Sequence, residues 1–113
     1  MLKKVKRRYL ALRLDSDAMI SSREFTDAVW EAICRIYGEY GASQTSLSMI
    51  NFDEEHGIVV MRTGHTTVEM VRTAIASMTH VGDKPAAVHV LAVSGTIKAL
   101  QKSLKQPPLK HSP

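Results

Sequence analysis

With 113 residues the chain holds one domain rather than two, and at that size a single core forms without metal or disulfides. Its one cysteine, Cys34, excludes an internal disulfide, and no apolar run approaches the roughly 20 residues of a bilayer span. No apolar stretch follows the basic start in the manner of a secretory signal, so a cytoplasmic protein is expected. The net charge of +4 is split by position. Residues 1–13 carry six cations and no acid, residues 14–95 carry eleven acids against five cations, and residues 96–113 carry four lysines and no acid. Basic ends on an acidic body point either to a polyanionic partner, most often nucleic acid, or to solvated, solubilising termini.

Residues 6–15, KRRYLALRLD, set Leu10, Leu12 and Leu14 against Tyr9, Ala11 and Arg13, the period of a strand. Ser21 with Glu24 predicts a capping box. Phe25, Val29, Ile33, Ile36 and Tyr40, at spacings of three and four, predict an amphipathic helix slowed at Gly38 and ended by Gly41. SLSMINF (46–52) and GIVVMRT (57–63) read as a hairpin around Asp53-Glu54-Glu55-His56, with Gly57 supplying a positive φ. Thr66 with Glu69 predicts a second capping box, ahead of a helical face of Val68, Val71, Ala74, Ile75 and Met78. Gly82-Asp83-Lys84-Pro85 is a turn, and AAVHVLAV (86–93) is a strand apolar on both faces. SGTIKALQKSL (94–104) is a last helix, which Gln106-Pro107-Pro108 ends.

The order β-α-β-β-α-β with a terminal helix is α+β and ferredoxin-like, the sandwich of RNA-recognition motifs with an added C-terminal helix. The expected organisation is a basic arm at 1–7, a single domain at 8–105 and a disordered tail at 106–113. In that fold the last strand pairs antiparallel with the first. The arm Lys3–Arg8 and the helix start Gly95–Lys98 are therefore expected to meet at one edge.

That last helix lacks what the first two possess. Helix N-termini carry free N–H groups and about half a positive charge, and Glu24 and Glu69 answer it in the first two. The third offers Ser94 or Thr96 as a cap, contains no carboxylate, and adds Lys98 to its first turn. Gly95 leaves room for an outside group to approach the backbone. Ile97, Leu100 and Leu104 form an inward stripe, and Lys98, Lys102 and Lys105 a cationic one beside it. A phosphate at the N–H groups with further phosphates along the lysines fits this pattern. So does an ordinary terminal helix with a solvated lysine face.

KRRYLALRL, IYGEYGA, GIVVMRT and above all SGTIKALQKSL are similar to stretches of the ribonuclease P protein component 2 family, in the same order over roughly residues 6–104. That family is the small protein subunit of archaeal and eukaryotic ribonuclease P, related to the ribonuclease MRP subunit. The absence of long insertions or an acidic tail resembles its archaeal members. The resemblance implies a non-catalytic, RNA-binding subunit of a cytoplasmic ribonucleoprotein endonuclease. Its RNA holds the Mg2+ ions and removes the 5′ leader from precursor tRNA, while this chain carries no cofactor. A barrel-fold protein subunit is the implied partner, with two such pairs joined into a dimer. Arg7, Arg8 and Tyr9, and Gly95, Thr96, Lys98, Gln101 and Lys102, are the residues the resemblance carries over. Arg7, Arg8, Lys98 and Lys102 are assigned to phosphates, the backbone of Gly95 and Thr96 to an anion, and Gln101 to a ribose or base edge. Lys3, Lys4, Lys6 and Lys105 join the RNA-binding set by charge and position.

No other constellation carries chemistry. GIVVMRT lacks the aromatic residues that stack bases on RNA-recognition sheets, and the first strand offers only Tyr9. The aliphatic sheet face is expected to be covered by the third helix or by a protein, with Tyr9, Trp30, Ile58 and Val60 as candidate partner residues. His56, His65, His80, His89 and His111 show no metal-ligand spacing, and His89 reads as a hydrogen-bonded core or interface residue. Cys34 reads as apolar filler and the acidic turn at 53–55 as solvated, so neither a catalytic residue nor a metal ligand is expected. The competing reading is a dimeric ferredoxin-like interaction or ligand-binding module whose basic ends only aid solubility.

Overall fold

A computed structural model describes residues 6–105, with the side chains of 6–104. In chain order the elements are β1 (Arg7–Asp15), α1 (Ser22–Ser43), β2 (Ser48–Asp53), β3 (Ile58–Gly64), a 3-10 turn (His65–Thr67), α2 (Val68–Ala76), a small hairpin of β4 (His80–Val81) and β5 (Lys84–Pro85), β6 (Ala87–Ser94) and α3 (Ile97–Lys105). Four strands make one antiparallel sheet in the order β2-β3-β1-β6, the ferredoxin-like arrangement. Arg7, expected in the arm, is already a strand residue paired with Gly64. Lys3 and Lys4, and the tail expected at 106–113, lie outside the described residues.

Alternation on β1 decides which face meets which helices. Leu10 and Leu12 are fully buried in the core that α1 and α2 close, with Val59 and Met61 of β3 and Val88 of β6. On β6 the register slips: Ala11 faces Ala92 but Leu12 faces Val90, leaving Leu91 as a bulge. One extra residue reverses the alternation, so Val88 and Val90 and then Val93 all pack on the core. This is why 86–93 reads as apolar on both faces. The second sheet face is not bare. α3 packs across β6 and β1, Leu100 is fully buried there outside the main core, and the paired Ala11 and Ala92 let the helix come close.

The capping box of α1 forms: Glu24 N–H donates to Ser21 Oγ (3.1 Å) and Ser21 N–H to Glu24 Oε1 (2.9 Å). Phe25, Ala28, Val29, Ala32 and Ile33 are buried, and the Phe25 ring lies 6.0 Å from that of Phe52. Gly38 kinks the helix (φ 80°), but Gly41 does not end it. A Cβ at Gly41 would stand 2.9 Å from Tyr37 Cβ and 3.5 Å from Met70 Cε, so glycine there serves close packing. The apolar stripe leaves the core around the kink: Ile36 just before it and Tyr40 just after it are exposed, and Ala42 returns to the core.

The second capping box does not form. Thr67, not Thr66, precedes α2, and its hydroxyl is engaged with Thr63 Oγ1 (2.9 Å) and the Gly64 carbonyl (3.1 Å). Lys84 on the small hairpin donates to the Met19 carbonyl (2.8 Å) and to Glu24 Oε2 (2.9 Å), tying that hairpin to the start of α1. His89, expected in the core or an interface, is exposed and 3.7 Å from Asp15 Oδ2.

Candidate nucleic-acid interface

Because β6 runs antiparallel to β1, Ser94 lies opposite Tyr9, and the start of α3 emerges beside the start of β1. Arg8 Nη1 donates to the Arg7 carbonyl (3.3 Å) and lies 3.5 Å from where a Cβ at Gly95 would stand. His65 N–H donates to the Lys6 carbonyl (2.9 Å), holding the entry of β1 against the end of β3. Lys6, Arg7 and Arg8 are thus brought to Gly95, Thr96 and Lys98, residues nearly 90 positions away in sequence.

Of the two possible caps the helix uses Thr96. Ala99 N–H donates to Thr96 Oγ1 (3.1 Å) and Leu100 N–H to the Thr96 carbonyl (3.1 Å). That leaves the N–H groups of Ile97 and Lys98 without intrahelical acceptors. No acid stands in this first turn. The start of α1 shows the contrast. There the Glu24 carboxylate, held below its usual range first by the Ser21 backbone N–H and then by Lys84, already answers the helix charge. At the start of α3 stand Arg8, beside Gly95, and Lys98 of the first turn, both positive. Lys98, Gln101 and Lys102 are exposed, while Leu100 is buried on the opposite side. Ile97, expected to pack inward, is 37 % exposed at the helix mouth, and Leu104 is half-buried. Lys105 continues the helix, its side chain outside the described set.

The far end of β1, about 30 Å away for nine residues, carries the opposite charge. Asp17, Asp53, Glu54 and Glu55 line a recess there with Leu14, Ile20 and Phe52. Ligand atoms of Asp53, Glu55 and His56 come within 4.8 Å of one another in the β2–β3 turn. Both Asp53 oxygens are already engaged, one by the His56 backbone N–H (3.2 Å) and one by its Nδ1 (2.9 Å). The side-chain bond to His56 is the main cause that lowers the Asp53 carboxyl value, and its counterpart raises the His56 imidazole. This trio is a hydrogen-bonded exposed turn.

Residues 8–105 match the family model described as the Rpp14/Pop5 family. The chain belongs to the Rpp14/Pop5 family. It is 31 % identical over 115 residues to ribonuclease P protein component 2 of Methanosarcina barkeri, covering 97 % of this chain and 84 % of that protein. The corresponding protein of Pyrococcus furiosus is 31 % identical over 97 residues, covering 86 % and 81 %. A chain in the cryo-EM structure of yeast ribonuclease MRP superposes with a TM-score of 0.70 at 15 % identity, over 94 % of this chain and 96 % of that one, which shows a shared fold.

The Rpp14/Pop5 match begins at Arg8, the last cation of the first basic segment, and takes in all of α3 to Lys105. The four candidate partner residues do not form one surface. Tyr9, Ile58 and Val60 are half-buried on the face that α3 shares. Trp30, 41 % exposed, stands on α1 across the sheet. A residue that the sequence reading passed over is Arg62. Val59, Met61 and Thr63 point into the core, so Ile58, Val60 and Arg62 share the other face. That alternation in GIVVMRT is the signal that could have found it.

Proposed function

We propose that this chain is a non-catalytic protein subunit of ribonuclease P and binds the RNA subunit through the edge where β1 begins and α3 opens. The names of its relatives support the assembly. The junction itself supports the role: an Arg8 guanidinium beside Gly95, at the mouth of a helix with no acid in its first turn. Lys6, Arg7, Arg8, Lys98 and Lys102 neutralise phosphates, the amides after Thr96 take one phosphate oxygen, and Gln101 reaches a sugar or base edge. Lys3, Lys4 and Lys105 join them by charge. The RNA carries Mg2+ and the hydrolysis of the 5′ leader from precursor tRNA, in the cytoplasm of an archaeal cell. A barrel-fold protein subunit pairs with this chain, and two such pairs join.

Reconstitution of the RNA, the barrel-fold subunit and this chain tests the reading. Wild type is expected to restore precursor-tRNA cleavage and to bind with log affinity falling by about 0.7 to 0.9 per phosphate contact against log salt. Lys98→Glu with Lys102→Glu is expected to weaken RNA binding at least tenfold, flatten the salt slope by about one per lost contact and leave the melting temperature within a few degrees. Unchanged affinity, or binding that ignores salt, would instead establish the interaction module whose basic ends serve solubility.

A further inference from the structure

Ser48, Arg62, Tyr9 and Ser94 form one row across all four strands at the basic end of the sheet. Ser48 is opposite Arg62, Arg62 opposite Tyr9, and Tyr9 opposite Ser94. Arg62 is the one cation in that row, and the row ends one residue before Gly95 at the mouth of α3. α3 packs over β6 and β1. On the β2 and β3 half of the same face Ile50 and Asn51 are exposed and Ile58 and Val60 are half-open.

Arg62 is half-buried, and its Nε is fully desolvated without an acceptor. No carboxylate among the described residues lies within 4.0 Å of its guanidinium. A desolvated donor on a cation is unfavourable until an acceptor arrives, and an anionic oxygen is the strongest one available. The guanidinium fork suits a phosphate, which accepts two parallel N–H bonds. The hydroxyls of Ser48, Tyr9 and Ser94 stand in the same row as further donors. Lys6, Arg7, Arg8 and Lys98 surround this end, so the local field favours a polyanion.

We propose that Arg62 binds a backbone phosphate of the RNA on the open half of the sheet. The RNA path then runs from the α3 mouth along the Ser94–Tyr9–Arg62–Ser48 row, held by its backbone rather than by stacked bases. This deepens the proposed RNA-binding function and rests on it.

The test measures affinity of the chain, in complex with its barrel-fold partner, for ribonuclease P RNA over a salt series. Arg62→Gln is expected to weaken binding several-fold and to reduce the salt slope by about 0.7 to 0.9, one phosphate's share. Arg62→Lys is expected to keep the slope and still bind more weakly, a point charge replacing the fork. The melting temperature is expected not to fall, since the unpaired donor is removed; Arg62→Met, which keeps the aliphatic stem, replaces the glutamine variant if that one melts lower. A slope unchanged in Arg62→Gln but flattened in Lys98→Glu would overturn the role of Arg62 and leave the α3 edge standing. A slope unchanged in both would overturn the RNA-binding reading itself. Loss of affinity for the barrel-fold partner with RNA binding intact would assign Arg62 to a protein carboxylate and end the proposal.

Discussion

Two glycines with nearly the same backbone separate conformational strain from steric conflict. Gly57 and Gly82 have φ of 67° and 64°. A Cβ at Gly57 would meet the Leu14 carbonyl oxygen at 2.7 Å, whereas one at Gly82 would meet nothing. Gly82→Ala is expected to cost about 1 kcal/mol, the left-handed penalty alone. Gly57→Ala should cost about 2 to 3 kcal/mol, because the β1 backbone must also move and the Leu14 N–H bond to the Gly57 carbonyl (2.8 Å) is strained. Denaturant melts of the two variants check the difference, and equal losses would contradict it. In the same turn the Asp53–His56 pair has a defined pH window. The raised His56 value means that its contribution is complete below about pH 6.5, the ordinary imidazole value, and is lost as pH climbs through the raised one. The lowered Asp53 value means that its share is complete above the ordinary carboxyl range and is lost as pH falls through the lowered one. Asp53→Asn is expected to bring the His56 NMR titration midpoint down toward that of a free imidazole. A midpoint that does not move would remove the pair.

At the scale of elements, the two Ser/Thr-x-x-Glu patterns show what was legible in the sequence. Ser21–Glu24 forms as read because nothing distant competes for either side chain, and Lys84 then reinforces the glutamate. Thr66–Glu69 has the same local grammar and fails, because Thr67 is drawn into a hydroxyl network with Thr63 and, through it, the Thr45 carbonyl (2.7 Å). Ser21→Ala is therefore expected to cost about 1 kcal/mol of stability, whereas Thr66→Ala should lie within about 0.5 kcal/mol of wild type, as a surface change does. Thermal melts of the pair decide it, and comparable losses would show that Thr66 caps α2 after all. The sheet order was legible, and with it the meeting of β1 and α3. The Leu91 bulge and the run of α1 past Gly41 were not, since the first depends on strand partners and the second on close packing of Gly41 against Tyr37 and Met70 that the sequence does not show. Arg62 was hidden for a related reason. Its neighbours in sequence are core residues, and its neighbours in space lie on other strands.

The whole molecule is charge-polarised along β1, with the Arg8–Gly95–Lys98 edge at one end and the Asp17, Asp53, Glu54 and Glu55 recess at the other. About 30 Å separates them, more than three screening lengths of about 8 Å at physiological salt. An acid at the far end therefore cannot weaken a phosphate held at the basic edge once salt is present. At low salt the same acids orient an approaching polyanion, because the field of the whole surface then acts during encounter. Glu54→Lys with Glu55→Lys is accordingly expected to leave equilibrium RNA affinity at physiological salt within about twofold of wild type. At tenfold lower salt, where the screening length approaches about 30 Å, association by stopped flow should become severalfold faster. Lys98→Glu acts through direct contact and should lower affinity under both conditions. If the double charge reversal at the acidic end changed physiological-salt affinity as much as Lys98→Glu does, RNA would have to run the length of β1, and a binding edge confined to the mouth of α3 and its neighbouring row would be wrong.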